Sequence, residues 1–280
     1  MASDAKREAE AHFAQEVRAV SWANAVQLAK AAIAKHTGVG VEKDRADVGV
    51  PLGARVGTVL TMKVTPFLRA QDSLVVGPEQ FNQVVSISRL RVPMQGTVHR
   101  LYTSRGDDGV EKERFLQVYC DAVGDVQELV YFTRLLRLIP VTAEDQAQFT
   151  GEGGSGLGQT TFSVWREQLN GQGIPEAVLA RAFGQADSID YVRCAGSEDQ
   201  DFVSPYSGEE NRIDDRQGNR GLHQEVVFMP YRRLLGSGAE EQLLIETEIV
   251  TDQDGDQGKR DIHVDFMVGL VLPKEGVMAQ

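Results

Sequence analysis

The chain has 280 residues and a formal net charge of −12. An acidic surface of this size is repelled by phosphate backbones and anionic lipid faces, which argues against general nucleic-acid binding and against a lipid-surface role. The two cysteines, Cys120 and Cys194, form no CxxC pair, so neither a disulfide scaffold nor a structural zinc site is expected. No segment has a secretory core or the roughly 18 apolar residues of a membrane span, so we expect a cytoplasmic protein without membrane insertion.

Residues 1–37 predict a long helical arm, followed by a linker at 38–50. Ser3 and Asp4 are good capping residues, and alanine dominates the sequence that follows. The apolar side chains fall on two faces, so the helix either packs against the body or docks on a protein partner or a second copy of the chain. The residues expected to make this contact are Phe13, Val17, Val20, Trp22, Val26, Leu28 and Ile33.

Residues 51–280 predict one mixed domain, and the fold class is α+β with mainly antiparallel β-hairpins. Short β-branched segments predict strands in "ARVGTVLTMKV", "DSLVVG" and "NQVVSISRLRV". The segments "GTVHRLYTS" and "ERFLQVYCDA" flank Asp108-Gly109, which is typical of a hairpin turn. A second hairpin is predicted from "EQLLIETEIV" and "RDIHVDFMVGLVL" near the end of the chain.

Two short helices and one long loop complete this predicted domain. The pattern Thr142-x-x-Asp145 is a capping box, and Pro175 is suited to the first turn of a helix. Residues 195–221 are polar and rich in turn formers, so they predict a long surface loop.

The stretch "GEGGSGLGQTT", Gly151–Thr161, has the glycine spacing of a phosphate-binding loop. Gln159 stands where the phosphate-binding lysine would be, and no buried strand precedes the glycines. The stretch therefore predicts a glycine-rich turn and not a nucleotide site.

A possible metal site lies on the C-terminal hairpin. Glu246 and Glu248 alternate on one strand, and His263 and Asp265 alternate on the next, so each pair shares a face of its strand. A water-facing sheet surface is the simplest explanation of this pattern, and a divalent-metal patch is the alternative. The acidic turn at Asp252, Asp254 and Asp256 lacks the glycine and glutamate of an EF-hand, so a solvated turn is expected there.

The order of motifs resembles that of the YjfK-like bacterial family of unknown function. The resemblance covers about residues 50–272 and rests on "LGARVGTVL", "HRLYTS", "RFLQVYCD", "ELVYF", "IPVTAEDQAQFTGEGGSGLG", "MPYRRLL", "QLLIETEI" and "VDFMVGLVL". It implies a companion of membrane-remodelling proteins similar to phage-shock protein A, and it implies no catalytic residue.

The sequence therefore predicts a non-catalytic interaction or assembly protein, and the resemblance implies an adaptor in a membrane-stress or membrane-remodelling system. The alternative is a divalent-metal-binding module or metal-dependent enzyme that uses Glu246, Glu248, His263 and Asp265. A third hypothesis is that Arg232 and Arg233 in "FMPYRRLL" recruit an acidic group. No catalytic residue and no organic cofactor is predicted.

Overall fold

A computed structural model describes residues 45–104, 112–197, 199–219, 221–251 and 260–280. The predicted helical arm and most of the linker lie outside these residues, together with Phe13, Val17, Val20, Trp22, Val26, Leu28 and Ile33. The described chain is mainly β, as the sequence predicted, and its α-helices are α1 (Thr65–Arg69), α2 (Ala143–Thr150) and α3 (Glu176–Phe183). None of the described helices is long and apolar enough to cross a bilayer.

Ten strands make the main sheet and three make a small one. The strands are β1 (Val59–Met62), β2 (Asn82–Gln83), β3 (Ser86–Arg91), β4 (Thr97–Ser104), β5 (Arg114–Cys120), β6 (Val126–Leu138), β7 (Thr161–Trp165), β8 (Ser188–Arg193), β9 (Tyr206–Ile213), β10 (His223–Leu234), β11 (Glu240–Thr251), β12 (Arg260–Leu272) and β13 (Val277–Ala279).

Eight strands of the main sheet close into an antiparallel barrel. Their order is β11-β12-β6-β5-β4-β3-β9-β10, and β10 pairs with β11 to complete the circle. Closure leaves these eight strands without a free edge. The hairpins β4–β5 and β11–β12 are the two that the sequence predicted, and both are confirmed.

Alternate residues of each barrel strand point into the interior, which has an apolar half and a charged half. The apolar half contains ten buried side chains, namely Leu90, Val98, Tyr102, Phe115, Val130, Phe132, Val226, Phe228, Leu244 and Met267. Gly269 belongs to this half, because a Cβ there would lie 2.6 Å from the ring of Phe132.

The remaining elements cover the outside of the barrel. One outer core joins α2, α3, β7 and β8 to the outward side chains of β10, β11 and β12. A second outer core lies beneath the small sheet, whose order is β13-β1-β2. The hairpin β7–β8 is attached to the barrel through β10, because the first half of β10 pairs with β9 and its second half reaches β8.

The local signals for the two short helices are confirmed. The side chain of Thr142 accepts the N–H of Asp145, the Asp145 side chain accepts the N–H of Thr142, and α2 begins between them. Pro175 precedes the first residue of α3.

Two segments differ from the prediction. "DSLVVG" is not a strand, because its backbone N–H groups bond to side chains: Leu74 to Glu241 and Val76 to Thr133. Residues 195–221 are not one loop, because β9 lies within them. The polar side chains of Glu210 and Arg212 indicated a solvated segment, but they face the interior of the barrel, where they find ionic partners.

The glycine-rich stretch allows two chain segments to pass at close range. A Cβ on Gly156 would lie 2.2 Å from the carbonyl oxygen of Gln148, and one on Gly158 would lie 2.2 Å from that of Val203. Both glycines also have positive φ. The glycines thus serve the turn between α2 and β7, as the sequence indicated.

Candidate functional sites

Nine ionisable side chains form a charged cluster at one end of the barrel interior. Its members are Arg100, Glu113, Arg134, Arg137, Glu210, Arg212, Glu246, Glu248 and Asp265. All five carboxylates are buried, whereas Arg134, Arg137 and Arg212 reach the rim. Five carboxylates and four guanidiniums leave one negative charge in excess when every group is ionised.

The register of β11 and β12 brings together the side chains that the sequence singled out. Glu246 lies opposite Asp265, and Glu248 lies opposite His263. The expectation of a water-facing surface is wrong, because Glu246 is 3 % exposed and Asp265 is 1 % exposed. Barrel closure turns that face of the hairpin inward, and the hairpin alone could not reveal this.

Arginine side chains offset the repulsion between these closely spaced carboxylates. Arg100 binds both oxygens of Glu246, at 2.7 Å from Nη1 to Oε1 and 2.5 Å from Nη2 to Oε2. Arg137 likewise binds both oxygens of Asp265, with 2.7 Å from Nε to Oδ1, and its Nη2 lies 3.0 Å from Glu248 Oε2. These paired contacts are the strong form of a charge-assisted hydrogen bond.

Neutral side chains complete the coordination of Glu210. Ser88 Oγ and Tyr102 Oη donate to its Oε1 at 2.5 Å and 2.7 Å, and Gln224 Nε2 donates to its Oε2 at 2.5 Å. The same Gln224 nitrogen also reaches Glu248 Oε1 at 3.1 Å. Both oxygens of Glu210 therefore accept hydrogen bonds.

The cluster divides its carboxylates into ionised and proton-holding groups. Burial would raise the pKa of Glu210, but Arg100 and Arg212 outweigh it and lower that pKa to about 2. Burial, with the neighbouring Asp265 and Glu113, raises the pKa of Glu248 to about 8. Burial also raises the pKa of Glu113 to about 7 against the pull of Arg212. One proton on Glu248 or Glu113 balances the excess negative charge.

A cavity of about 210 Å³ opens at the charged mouth of the barrel, lined in part by Ser86, Tyr102, Glu113, Arg212 and Asp214. The guanidinium of Arg212 lies over the ring of Tyr102, 4.0 Å from its centroid, and its Nη2 lies 3.5 Å from Glu113 Oε2. A cavity of this size holds several waters, which gives protons a route to Glu113.

Arg232 and Arg233, the proposed anion-binding pair, each form an ion pair within the protein, at the surface for Arg232 and largely buried for Arg233. Arg232 Nη1 lies 3.0 Å from Glu240 Oε2, and Arg233 Nε lies 2.7 Å from Glu241 Oε1. Glu241 also accepts hydrogen bonds from Ser73, Leu74 and Tyr191. Both arginines therefore have carboxylate partners within the described fold.

A second candidate site is the free edge of β7. Arg193 N–H donates to Thr160 O and Arg166 N–H donates to Asp187 O, each at 2.8 Å. Antiparallel bonding alternates along a strand, so Phe162 and Val164 bond to β8, while Thr161 and Ser163 direct their backbone groups away from it. Within the described ranges, no other strand pairs with β7 on that side.

Comparison with known proteins yields a family without an assigned activity. The family model described as "Protein of unknown function (DUF2491)" matches residues 34–277. The chain belongs to this family. No curated protein and no solved structure matches the chain.

Sequence reasoning identified three of the nine cluster members in this DUF2491 chain and missed the other six. It missed Arg100, Glu113, Arg134, Arg137, Glu210 and Arg212. A signal was present, because Arg212 follows Glu210 by two residues in one strand and Glu248 follows Glu246 by two in another. Charged residues at alternate positions in several strands indicate a polar interior.

The Arg100–Glu246 pair should contribute strongly to folding. Replacing Arg100 by Met leaves Glu246 buried without its partner, and we expect the free energy of unfolding to fall by about 3–5 kcal/mol in urea denaturation. The double variant Arg100→Met/Glu246→Leu should lose much less than the sum of the single variants.

The matched control for this experiment is Arg166→Met, which removes a surface pair with Glu176. It should cost at most about 1 kcal/mol. Equal costs for Arg100→Met and Arg166→Met would show that burial does not make the interior pair essential.

The proton-holding carboxylates predict that stability falls as pH rises from 6.5 to 8. In this range the folded chain keeps protons on Glu248 and Glu113, whose pKa values are raised, whereas the unfolded chain has released them. Linkage then lowers the free energy of unfolding by up to about 1.4 kcal/mol per pH unit for each retained proton. Urea denaturation at three pH values measures the slope.

Two other groups change the stability in the opposite direction, and their effects are largest outside the range of pH 6.5 to 8. Burial lowers the pKa of His99 to about 4, which weakens the fold below pH 6.5, and lowers the pKa of Lys112 to about 8, which acts above pH 8. Glu248→Gln is the matched variant, and it should flatten the slope. A wild-type slope of zero or of the opposite sign would contradict the assignment.

Proposed function

We propose that this protein is a non-catalytic interaction protein that assembles with another polypeptide by strand addition at β7. The observation that carries the proposal is the free edge of β7, where the backbone groups of Thr161 and Ser163 point away from β8. An extended chain that pairs with such an edge gains main-chain hydrogen bonds without any rearrangement of the sheet.

The composition of β7 supports this role. Its sequence, "TFSVW", contains no charge and no proline, and four of its five residues are aromatic or branched at Cβ. Proteins usually protect a free edge with lysine, proline or a bulge, because an open edge attracts other strands. Trp165 is 46 % exposed at the end of β7 and offers an aromatic contact to a bound chain.

Two hypotheses from the sequence, the helical arm and the family resemblance, are part of the same proposal. The arm of residues 1–37 would provide a second contact, through the apolar residues from Phe13 to Ile33. The resemblance to the YjfK-like family supports a cytoplasmic adaptor that works beside a membrane-remodelling system. The family match over residues 34–277 leaves the role open, because that family has no assigned activity.

Photocrosslinking in the native cell tests the proposal. Trp165 is replaced by p-benzoylphenylalanine, which keeps an aromatic side chain at the edge. We expect a covalent adduct with a second polypeptide under near-ultraviolet light. Adding Ser163→Pro should abolish the adduct, because proline removes the outward N–H of Ser163 and leaves the backbone hydrogen bonds to β8 intact.

The matched control carries the photoreactive residue at Val123, which is 83 % exposed in the turn between β5 and β6. It should give no adduct. The same adduct from both positions, or no adduct from position 165, would reject strand addition at β7.

Divalent-cation binding is the second candidate function, and one observation favours it. Glu113, Glu248 and Asp265 place one oxygen each within 4.8 Å of one another, as do Glu210, Glu246 and Glu248. Glu246, Glu248 and Asp265 come from the set that the sequence predicted, whereas His263 is in neither group. A cation would have to displace Arg137 from Asp265 or replace the proton on Glu248.

Melting experiments decide whether the cluster binds a cation. Calcium, magnesium, manganese or zinc that binds the folded state should raise the melting temperature above that in chelator. The rise should be lost in Glu248→Gln, since Glu248 is shared by both groups of oxygens. If none of the four ions changes the melting temperature relative to chelator, this candidate is excluded.

A further inference from the structure

We infer that the strand that pairs with β7 is the β7 of a second copy of this chain, so that two sheets join across a two-fold axis at Ser163. The inference rests on the proposed function, since it names the partner at the same edge. Three observations support it: the hydrogen-bonding pattern, the absence of charge along the strand, and the side chains that would meet.

The backbone of β7 is complementary to itself in an antiparallel register. Thr161, Ser163 and Trp165 direct their backbone groups to the free side, as the alternation with β8 requires. With the axis at Ser163, each Ser163 exchanges two hydrogen bonds with Ser163 of the second copy. Each Thr161 then lies opposite Trp165 of the second copy, again as a hydrogen-bonded pair.

One existing hydrogen bond has to break before all the hydrogen bonds between the two copies can form. Trp165 N–H donates to Gln168 Oε1 at 3.0 Å. The Gln168 side chain is exposed in a short 3-10 helix, so its amide can rotate into water. This rotation frees the N–H of Trp165 for Thr161 O of the second copy. The N–H groups of Thr161 and Ser163 have no partner to give up within the described ranges.

The side chains that meet in this register are compatible on both faces. On the outer face, Thr161 would contact Trp165 of the second copy, and aromatic side chains beside β-branched ones are favourable cross-strand pairs. On the inner face, Phe162 would lie beside Val164 of the second copy. Phe162 and Val164 belong to the outer core, so pairing would join the two outer cores.

Charge also favours β7 as the contact between two copies. Each chain carries a net charge of −12, so two copies repel each other over most of their surfaces. The five residues of β7 are neutral, so no like charges meet along the strand. Asp190, which accepts a hydrogen bond from Ser163 Oγ, stays one strand away on each side. About 14 Å would then separate the two copies of Asp190, at three strand spacings.

The test is a charge swap at the axis, followed by sedimentation velocity of the full chain. Wild type should sediment as a dimer. Ser163→Lys and Ser163→Glu each place like charges directly opposite one another, and we expect both to dissociate at least tenfold more readily. An equimolar mixture of the two variants should recover the dimer, because lysine then faces glutamate.

Two further variants keep the result interpretable. Val123→Lys is the matched control, since it adds the same charge at an exposed site away from β7, and it should leave the dimer intact. Ser163→Pro removes the outward N–H and the exposed hydrogen bond from Ser163 Oγ to Asp190, and it should weaken the dimer without changing the melting temperature by more than a few degrees. It therefore separates loss of pairing from loss of folding.

The outcomes separate this inference from the proposed function. A monomeric wild type, or variants at position 163 that dimerise as wild type does, overturns pairing of two copies. If position 165 then crosslinks to a different protein in the cell, strand addition at β7 stands and only the identity of the partner is wrong. If position 165 gives no adduct at all, both are rejected.

Discussion

The bidentate pair between Arg100 on β4 and Glu246 on β11 is the interaction on which the barrel depends most. The two strands lie on opposite sides of the circle of eight, so the pair spans the interior and ties both walls together. Arg100 is 2 % exposed, and removing its charge from water is expensive. The cost is offset only because Glu246, Glu210 and Gln117 all bond or lie close to the guanidinium. The geometry that satisfies Arg100 exists only when the barrel is closed, which couples closure to ion pairing.

The dependence on barrel closure explains why some elements of this fold were predictable from the sequence and others were not. Hairpins such as β4–β5 and β11–β12 depend on local turn chemistry and alternation, and both signals are visible in a short window. β9 was missed because Glu210 and Arg212 resemble solvated residues until strands from elsewhere in the chain surround them. Glu246 and Asp265 were singled out on neighbouring strands, but the sequence left the register of the hairpin open, and their burial depends on closure. Closure is a property of eight strands together, and no single segment encodes it.

Barrel closure also explains why the free edge appears at β7. A closed barrel has no edges, but β10 is longer than its neighbour β9 and continues past the last residue that β9 pairs with. β8 pairs with this projecting part of β10, and β7 follows β8. The main sheet therefore ends at β7. The unequal lengths of β9 and β10 thus create the open edge, and the uncharged sequence of β7 leaves it unprotected.

The two candidate sites differ in charge, because the cluster inside the barrel has nine ionisable side chains and β7 has none. The interior cluster is nearly balanced, with five carboxylates and four arginines, so almost all of the net charge of −12 lies outside it. This charge opposes contact between copies of the chain over most of their surfaces, and a neutral segment adds nothing to the repulsion. β7 is such a segment, and in the part of the chain that the structure describes no strand pairs with its outer side. The proposed contact at β7 thus uses a neutral edge on an acidic surface, whereas the barrel is stabilised by charges that are paired inside it.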